Sequence, residues 1–287
     1  MGNTLYLECY SGISGDMVVA ALLDLGADEN LLKQTLEKLP VDGFEIQISR
    51  VKKSGLDACD FHVVLDGAHE NHDHDMDYLY GHVAHVDHDI CATSGAQPLC
   101  READGHGGHH GQHDHHEHRG LQEILEIIRG AGLSERAEQY ATDIFEVLAE
   151  AESDVHGVSK EQVHFHEVGA VDSIVDIVAA AVCLDMLDVS EVIVPYLCEG
   201  RGTVRCQHGI IPVPVPAVTR IVQKYHIPLR LTQVEGEMVT PTGAAFVAAV
   251  RTSDQLPEQI NIVRIGVGAG KRVYPESTGL LRAMLLG

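Results

Sequence analysis

The sequence predicts an α+β fold, with mixed sheets at both ends of the chain around a central helical segment and a long His-rich insert that we expect to be disordered. Strand-type apolar runs lie toward both ends, helical spacing dominates the middle, and thirteen of the 19 histidines cluster in one poorly apolar stretch. Strands grouped at the ends favour α+β over a regular βαβ repeat. The predicted parts are an N-terminal α/β part with a hairpin over 1–67, a His/Asp-rich flexible metal-binding insert over 68–118, and a helical and α/β part over 119–287 that completes the same compact unit.

The N-terminal part predicts a strand, a loop, two helices and a hairpin. Helical spacing stops at Gly26 and again at Pro40, and both residue types commonly end helices. Two alternating segments joined by a turn around Gly55 form the predicted hairpin. The predicted bounds are 4–8 for the strand, 11–16 for the loop, 17–25 and 31–39 for the helices, and 44–51 and 59–65 for the hairpin strands.

The part after the insert predicts three helices, followed by a region rich in strands and loops. Ser134 is a suitable cap for the second of these helices, because its hydroxyl can accept a free backbone N–H. The three helices are predicted at 121–129, 135–156 and 171–187. Further predictions are a strand at 192–197, a turn at 200–202, a helix from 217, a helix that opens at 240–243 and runs to about 250, a strand at 260–265 and a glycine-rich loop at 266–271.

Composition excludes two classes of partner. The net charge of -23 disfavours nucleic acid, because phosphate binding depends on Lys and Arg. The longest apolar run, 174–187, is interrupted by Asp176 and Asp185 and does not predict a membrane span. No secretory signal is visible in residues 1–10, and the seven cysteines contain no C-x-x-C motif. We therefore expect a cytoplasmic protein with reduced thiols, and the sequence leaves a homo-oligomer open.

The insert predicts metal capture. Imidazole is the commonest protein ligand for zinc, copper, iron and nickel, and this stretch offers many imidazoles with too few apolar residues to build a core. The alternative is a metal store in which the insert is itself the function. The densest candidate ligands are His106, His109, His110, His113, His115, His116 and His118.

A second constellation lies between Val163 and Asp176. His164 and His166 face the same side if this segment is extended, and Asp172 and Asp176 lie on one helical face. With Glu167 they could hold nickel, zinc or manganese. The alternative is a set of capping residues and ordinary hydrogen bonds. Asp176 disfavours that alternative, because it interrupts an apolar run and a buried carboxylate needs a partner.

Three weaker candidates concern anion binding. The strand–loop–helix segment at 11–16 offers backbone amides to an anion, with Asp16 as a metal ligand, although it is also typical of an ordinary capped turn. Arginines in so acidic a chain could receive a phosphate, and a solvated turn is the alternative there. Thr242 is most simply a helix cap. The candidate ligand-binding residues are Ser11, Ser14, Gly15, Arg201, His208, Thr240 and Thr242.

These segments together resemble the LarC family, which inserts nickel into the nickel-pincer nucleotide cofactor. The similarity lies in the Ser11–Met17 segment, the histidine-rich insert, the His164–Asp176 motif, the His208–Ala217 segment, the Thr240–Ala244 segment and the stretch from about Gly266 to Arg272, in family order. Any one of these segments alone would be weak, whereas their order over the whole chain is specific.

The resemblance implies an enzyme, a nickel insertase of the metal-chelating lyase type. Its substrate would be pyridinium-3,5-bisthiocarboxylic acid mononucleotide, which receives one carbon–nickel and two sulfur–nickel bonds and then serves lactate racemase-type enzymes as possible acceptors. It also implies CTP and Mn(2+) or Mg(2+) for the complete protein, and a C-terminal domain that is made separately or has been removed by truncation. Forming the carbon–nickel bond releases a ring proton, so a base is needed. From residue type, His164, His166 and Glu167 are the catalytic candidates, and Asp16, Asp172 and Asp176 complete the metal-holding set.

Two other functions remain as alternatives. A nickel storage or chaperone protein would use the insert alone, although a store does not need the ordered motifs outside it. A metallohydrolase would use His164, His166 and Asp172 to hold one metal ion tightly.

Overall fold

A six-stranded mixed sheet is the centre of the fold. The computed structural model describes residues 2–66, 79, 119–165, 170–206 and 209–287. The strands are β1 (Asn3–Glu8), β2 (Phe44–Lys53), β3 (Leu56–Leu65), β4 (Arg119–Gly120), β5 (His164–Phe165), β6 (Val189–Ile193), β7 (Leu197–Arg201), β8 (Thr203–Cys206), β9 (Gly209–Pro212), β10 (Leu229–Glu235), β11 (Ile262–Ala269) and β12 (Leu280–Leu286). The helices are α1 (Gly15–Asp24), α2 (Glu29–Leu36), α3 (Leu121–Gly130), α4 (Glu135–His156), α5 (Val171–Met186), α6 (Pro216–Lys224) and α7 (Pro241–Val250).

The strand order of the main sheet is β2-β3-β11-β12-β1-β6. The β1–β6 and β3–β11 pairs are parallel, and the other three pairs are antiparallel. Strands from both ends of the chain therefore share one sheet, with β12 in its interior. Three two-stranded sheets, β7–β10, β4–β5 and β8–β9, lie outside it.

Helix α1 packs directly on β11, and glycines make this close approach possible. A Cβ added at Gly268 would lie 2.1 Å from the carbonyl oxygen of Met17, and one added at Gly266 would lie 2.2 Å from that of Ala21. Any side chain there would separate the helix from the strand. Helix α5 packs against α1, and α4 packs against α5 and α7, so the apolar core lies between the sheet and these helices.

The structure confirms the α+β class and most of the predicted helices. Helix α4 has the predicted bounds, and the Ser134 hydroxyl accepts the backbone N–H of Ala137 at 3.1 Å as expected for a cap. The hairpin of β2 and β3 is confirmed in antiparallel register. The disorder predicted for residues 68–118 concerns a segment that, except for Leu79, lies outside the described residues. None of the described helices is both long enough and apolar enough to cross a membrane.

Three local predictions were wrong. The segment 266–271 is not a glycine-rich loop, because β11 continues through Ala269 and its glycines serve helix packing. The segment 192–197 is not one strand, since β6 ends at Ile193 and β7 begins at Leu197. The turn placed at 200–202 falls at Gly202 alone (φ +90°), because β7 extends through Arg201.

Candidate active site

A cavity of about 300 Å³ opens where four helix N-termini meet. Its walls come from the starts of α1, α5, α6 and α7, the end of α4, strands β8 and β9, the segment between β10 and α7, and the residues that follow β11. A cavity of this volume lies at the lower end of the range of small-molecule sites. Segments far apart in the sequence therefore build one pocket.

The cavity brings together three carboxylates from α1 and α5. Asp16, Asp172 and Asp176 all line it, and the Asp16 residue is only 5% exposed. Gly15 allows the two helices to meet, because a Cβ added there would lie 2.6 Å from Oδ2 of Asp176. The Ser14 hydroxyl donates to Oδ1 of Asp16 and fixes that side chain. The helix spacing that relates Asp172 to Asp176 and the glycine at the start of α1 thus create the cluster.

The carboxylate cluster is electrostatically unbalanced. Oδ2 of Asp16 and Oδ1 of Asp176 are shielded from solvent and have no hydrogen-bond partner among the described residues. Loss of solvation raises the pKa of Asp176 well above its usual value, and repulsion by Asp16 and Asp172 raises it further, whereas Lys271 opposes the shift. A cation in the cavity would relieve both the repulsion and the missing contacts.

Basic side chains line the side of the cavity that follows β11. Lys271 pairs with Asp60 at 2.5 Å, and Arg272 pairs with Glu237. Lys53 donates to the carbonyl oxygens of Gly270 and Arg272 at 2.5 and 2.7 Å, and burial lowers the pKa of this lysine. The cavity therefore has an acidic wall and a basic wall, which suits a ligand that carries both a cation and anionic groups.

The segment before α7 forms a third wall. Thr240 caps α7 by accepting the backbone N–H of Gly243 at 3.1 Å, so the cap is Thr240 and not Thr242 as predicted. Thr242 lies in the first turn and lines the cavity. Ile13 N–H donates to the Met238 carbonyl oxygen at 3.0 Å, which joins this wall to the loop before α1.

Apart from the three aspartates, the candidate site residues divide into three groups. Ser11, Ser14, Gly15, Thr240 and Thr242 line the cavity. Arg201 does not line it: this side chain is exposed at the end of β7 and pairs with Glu235 at 2.8 Å. His166, Glu167, His208 and the seven insert histidines lie outside the described residues, and of His164 only the backbone, in β5, is described.

The predicted metal site stays a prediction, because the side chains of its histidines lie outside the described residues. Among the residues that the structure describes, no group of three or more His, Cys, Asp or Glu side chains has the arrangement of a metal site. The three aspartates share a cavity without forming such a site by themselves.

Sequence reasoning missed two residues near the cavity. Lys53 belongs to the β2–β3 hairpin, where a lysine beside the turn predicts an exposed residue. Glu199 is completely buried in β7, and the only available signal was a glutamate directly after the apolar pair Leu197-Cys198.

The fold thus places clustered carboxylates in a cavity large enough for a small ligand. The chain belongs to the nickel insertion protein family, whose sequence profile matches residues 5–287. No solved structure matches the chain significantly.

Individual relatives of the chain carry names that match this family. The chain is 48% identical over 287 residues to the pyridinium-3,5-bisthiocarboxylic acid mononucleotide nickel insertion protein of Alkaliphilus metalliredigens (strain QYMF), a match that covers 100% of this chain and 61% of the relative. It is 38% identical over 283 residues to the protein of the same name from Geobacillus kaustophilus (strain HTA426), covering 98% and 59%. A putative nickel insertion protein of Geobacter sp. (strain M21) is 38% identical over 280 residues, covering 98% and 60%. The chain thus spans about three fifths of the length of these relatives.

Proposed function

We propose that this chain takes part in inserting nickel into pyridinium-3,5-bisthiocarboxylic acid mononucleotide, which yields the nickel-pincer cofactor. The observation that carries the proposal is the cavity in which Asp16, Asp172 and Asp176 meet, with Oδ2 of Asp16 and Oδ1 of Asp176 shielded from solvent and without a hydrogen-bond partner among the described residues. The names of the relatives supply the substrate class.

The acidic wall would hold the incoming metal ion. Carboxylate and imidazole ligands bind Ni²⁺ through oxygen and nitrogen, whereas thiolate-type sulfur is a softer ligand. We propose that Asp16, Asp172 and Asp176 hold Ni²⁺ together with His164 and His166. Transfer from these hard ligands to the sulfur atoms of the substrate would then be favourable.

Insertion also needs a base. When the carbon–nickel bond forms, the ring C–H bond breaks and its electron pair goes to the carbon–nickel bond, so a proton must leave. We propose that His164, His166 or Glu167 accepts this proton. Nickel keeps its oxidation state, and the two sulfur–nickel bonds form by exchange of ligands.

Other parts of the cavity would hold the anionic groups of the substrate. We assign the phosphate to Arg205 rather than Arg201, because Arg205 lines the cavity whereas Arg201 pairs with Glu235. Backbone amides at the start of α1, from Ser14 and Gly15, are suited to a thiocarboxylate. Ser11, Thr240, Thr242 and His208 would contribute further hydrogen bonds.

The resemblance also implies CTP, Mn(2+) or Mg(2+), a further C-terminal domain and a lactate racemase-type acceptor. We propose this cofactor, these ions, this domain and this acceptor for a protein of the relatives' full length. No described residue is assigned to CTP, because the glycines of β11 pack against α1 and form no phosphate cradle within the described part of the chain.

The experiment that tests the proposal removes residues 70–117 and measures nickel insertion with the purified mononucleotide, adding whatever the longer relatives require. We expect insertion to be retained at saturating nickel, because the proposed site lies outside the deleted segment. Changing His164→Ala and His166→Ala in the shortened chain should then abolish insertion.

The rival function is nickel storage, which the density of histidines in the insert favours. It predicts that the shortened chain folds but loses nickel handling altogether. Full insertion by the His164→Ala, His166→Ala variant would instead remove both histidines from the site.

A further inference from the structure

Glu199 is a carboxyl group enclosed in β7, directly behind a wall of the cavity. Its relative exposure is 0%, and it does not itself line the cavity. A group of this kind is costly to bury, so its contacts should explain its presence.

One oxygen of Glu199 collects three backbone donors. Oε1 accepts the N–H groups of Gly200 at 2.7 Å, Met238 at 2.7 Å and Val239 at 3.2 Å. Met238 and Val239 lie between β10 and α7, outside the β7–β10 ladder. Their amides therefore depend on this side chain, since a buried N–H without an acceptor is unfavourable.

The same segment holds the loop that carries Asp16. Ile13 donates to the Met238 carbonyl oxygen at 3.0 Å, and Thr240 donates to the Ile13 carbonyl oxygen at 3.1 Å. The two segments are in close backbone contact. A Cβ added at Gly12 would lie 2.0 Å from the Met238 carbonyl oxygen, and one added at Gly243 would lie 2.3 Å from the Ile13 carbonyl oxygen. Any shift of residues 238–240 must therefore move residues 12–14, and with them the start of α1.

We propose that Glu199 is a positioning residue for the nickel-insertion site: its Oε1 fixes the segment before α7, which in turn fixes the loop that presents Asp16. This inference rests on the proposed function for its catalytic readout. Its structural content, the coupling of residues 236–242 to residues 11–16 through one buried oxygen, can be measured independently.

The surroundings of Glu199 indicate that its Oε1, as a hydrogen-bond acceptor, holds the segment before α7 more than its negative charge does. Burial raises the pKa of Glu199 to about 7, and Glu237 adds repulsion, while the three backbone N–H groups act in the opposite direction. Glu237 is itself paired with Arg272, and Tyr274 donates to the Glu237 carbonyl oxygen at 2.6 Å. A neutral side chain with the same oxygen should therefore keep the arrangement.

The test compares Glu199→Gln, which keeps the acceptor, with Glu199→Met, which has similar length and no oxygen. Glu191→Gln is the matched control, the same change at an exposed position in β6 of the main sheet. Hydrogen exchange of the whole chain should show residues 236–242 and 11–16 protected as in the wild type in Glu199→Gln, and both exchanging about tenfold faster or more in Glu199→Met. The insertion kcat should fall about tenfold or more in Glu199→Met, with little change in Glu199→Gln or Glu191→Gln.

A third variant covers poor folding of Glu199→Met. Glu199→Asp keeps the charge but withdraws the oxygen by one methylene, so both segments should again exchange faster while β2 and β3 keep their protection. Faster exchange at 236–242 without any change at 11–16 would overturn the inference, as would a Glu199→Met variant with unchanged kcat. If the wild type inserts no nickel, the proposed function fails, and the exchange measurements still decide the coupling.

Discussion

Asp176 lies at the cavity beside Asp16 and Asp172, and this arrangement costs stability. Its Oδ1 is shielded from water without a partner among the described residues, and two like charges face it. A buried carboxylate of this kind is typical of a functional site, because a neutral side chain at the same position would destabilise the fold less.

Asp176→Asn should therefore stabilise the apo protein and impair the site. We expect the free energy of unfolding to rise by about 1 kcal/mol at pH 8, because repulsion from Asp16 and Asp172 disappears. Nickel affinity of the chain lacking residues 70–117 should fall about tenfold or more, measured by calorimetry. Asp154→Asn, an exposed change on α4, should alter neither quantity. A loss of stability with unchanged nickel binding would mean that Asp176 is only a structural residue.

Glu199 predicts a specific dependence of stability on pH. Its pKa is raised by burial from 4.5 to about 7, so the folded state keeps a proton that the unfolded state has already lost in this range. The free energy of unfolding should therefore fall as the pH rises from 4.5 to 7, by on the order of 3 kcal/mol from this group, and then level off. Urea unfolding of Glu199→Gln should lack this contribution and match the wild type most closely near pH 4.5. Parallel pH profiles for the two proteins would contradict the assignment.

At the level of secondary structure, the contact between α1 and β11 limits what β11 can contain. Gly268→Ala should lower the free energy of unfolding by about 3 kcal/mol, because the new methyl group would meet the backbone of Met17 and Ala21 rather than a movable side chain. Chemical denaturation measures the change. Gly130→Ala is the matched control: it lies at the end of α3, its Cβ would meet only the Pro40 ring at 3.3 Å, and its stability should stay near that of the wild type.

Elements with local signals were predictable, whereas elements defined by distant partners were not. Helix α4 was found with its bounds because Ser134 caps it and its apolar stripe is continuous. The segment 266–269 was mistaken for a loop because glycine marks both turns and close helix packing, and only the tertiary contact separates the two. Strand β12 was missed because both of its faces are largely buried, so its apolar and polar residues do not alternate.

The site was predictable only in part for the same reason. Residue type and spacing pointed to Asp172 and Asp176, but nothing local indicates that Asp16 shares their cavity. Arg201 and Arg205 are equally plausible anion ligands by type, and the ion pair with Glu235 distinguishes them only in three dimensions.

For the molecule as a whole, the charge balance predicts that salt stabilises the fold. Acidic residues number 43 against 20 basic ones, so screening should relieve more repulsion than attraction. We expect Tm to rise by roughly 3 °C or more between about 10 and 300 mM sodium chloride, followed by calorimetry in a buffer free of divalent cations. A constant or falling Tm would show that the ion pairs outweigh the general repulsion.

The interior position of β12 bears on when nickel could be acquired during synthesis. Strand β1 emerges first from the ribosome, yet its antiparallel neighbour comes from residues 280–286. Until those residues have been translated, β1 and β11 lack a shared partner, and α1 has no finished surface on which to rest. In a nascent chain, the side of the pocket that follows β11 would thus assemble only once translation has passed β12.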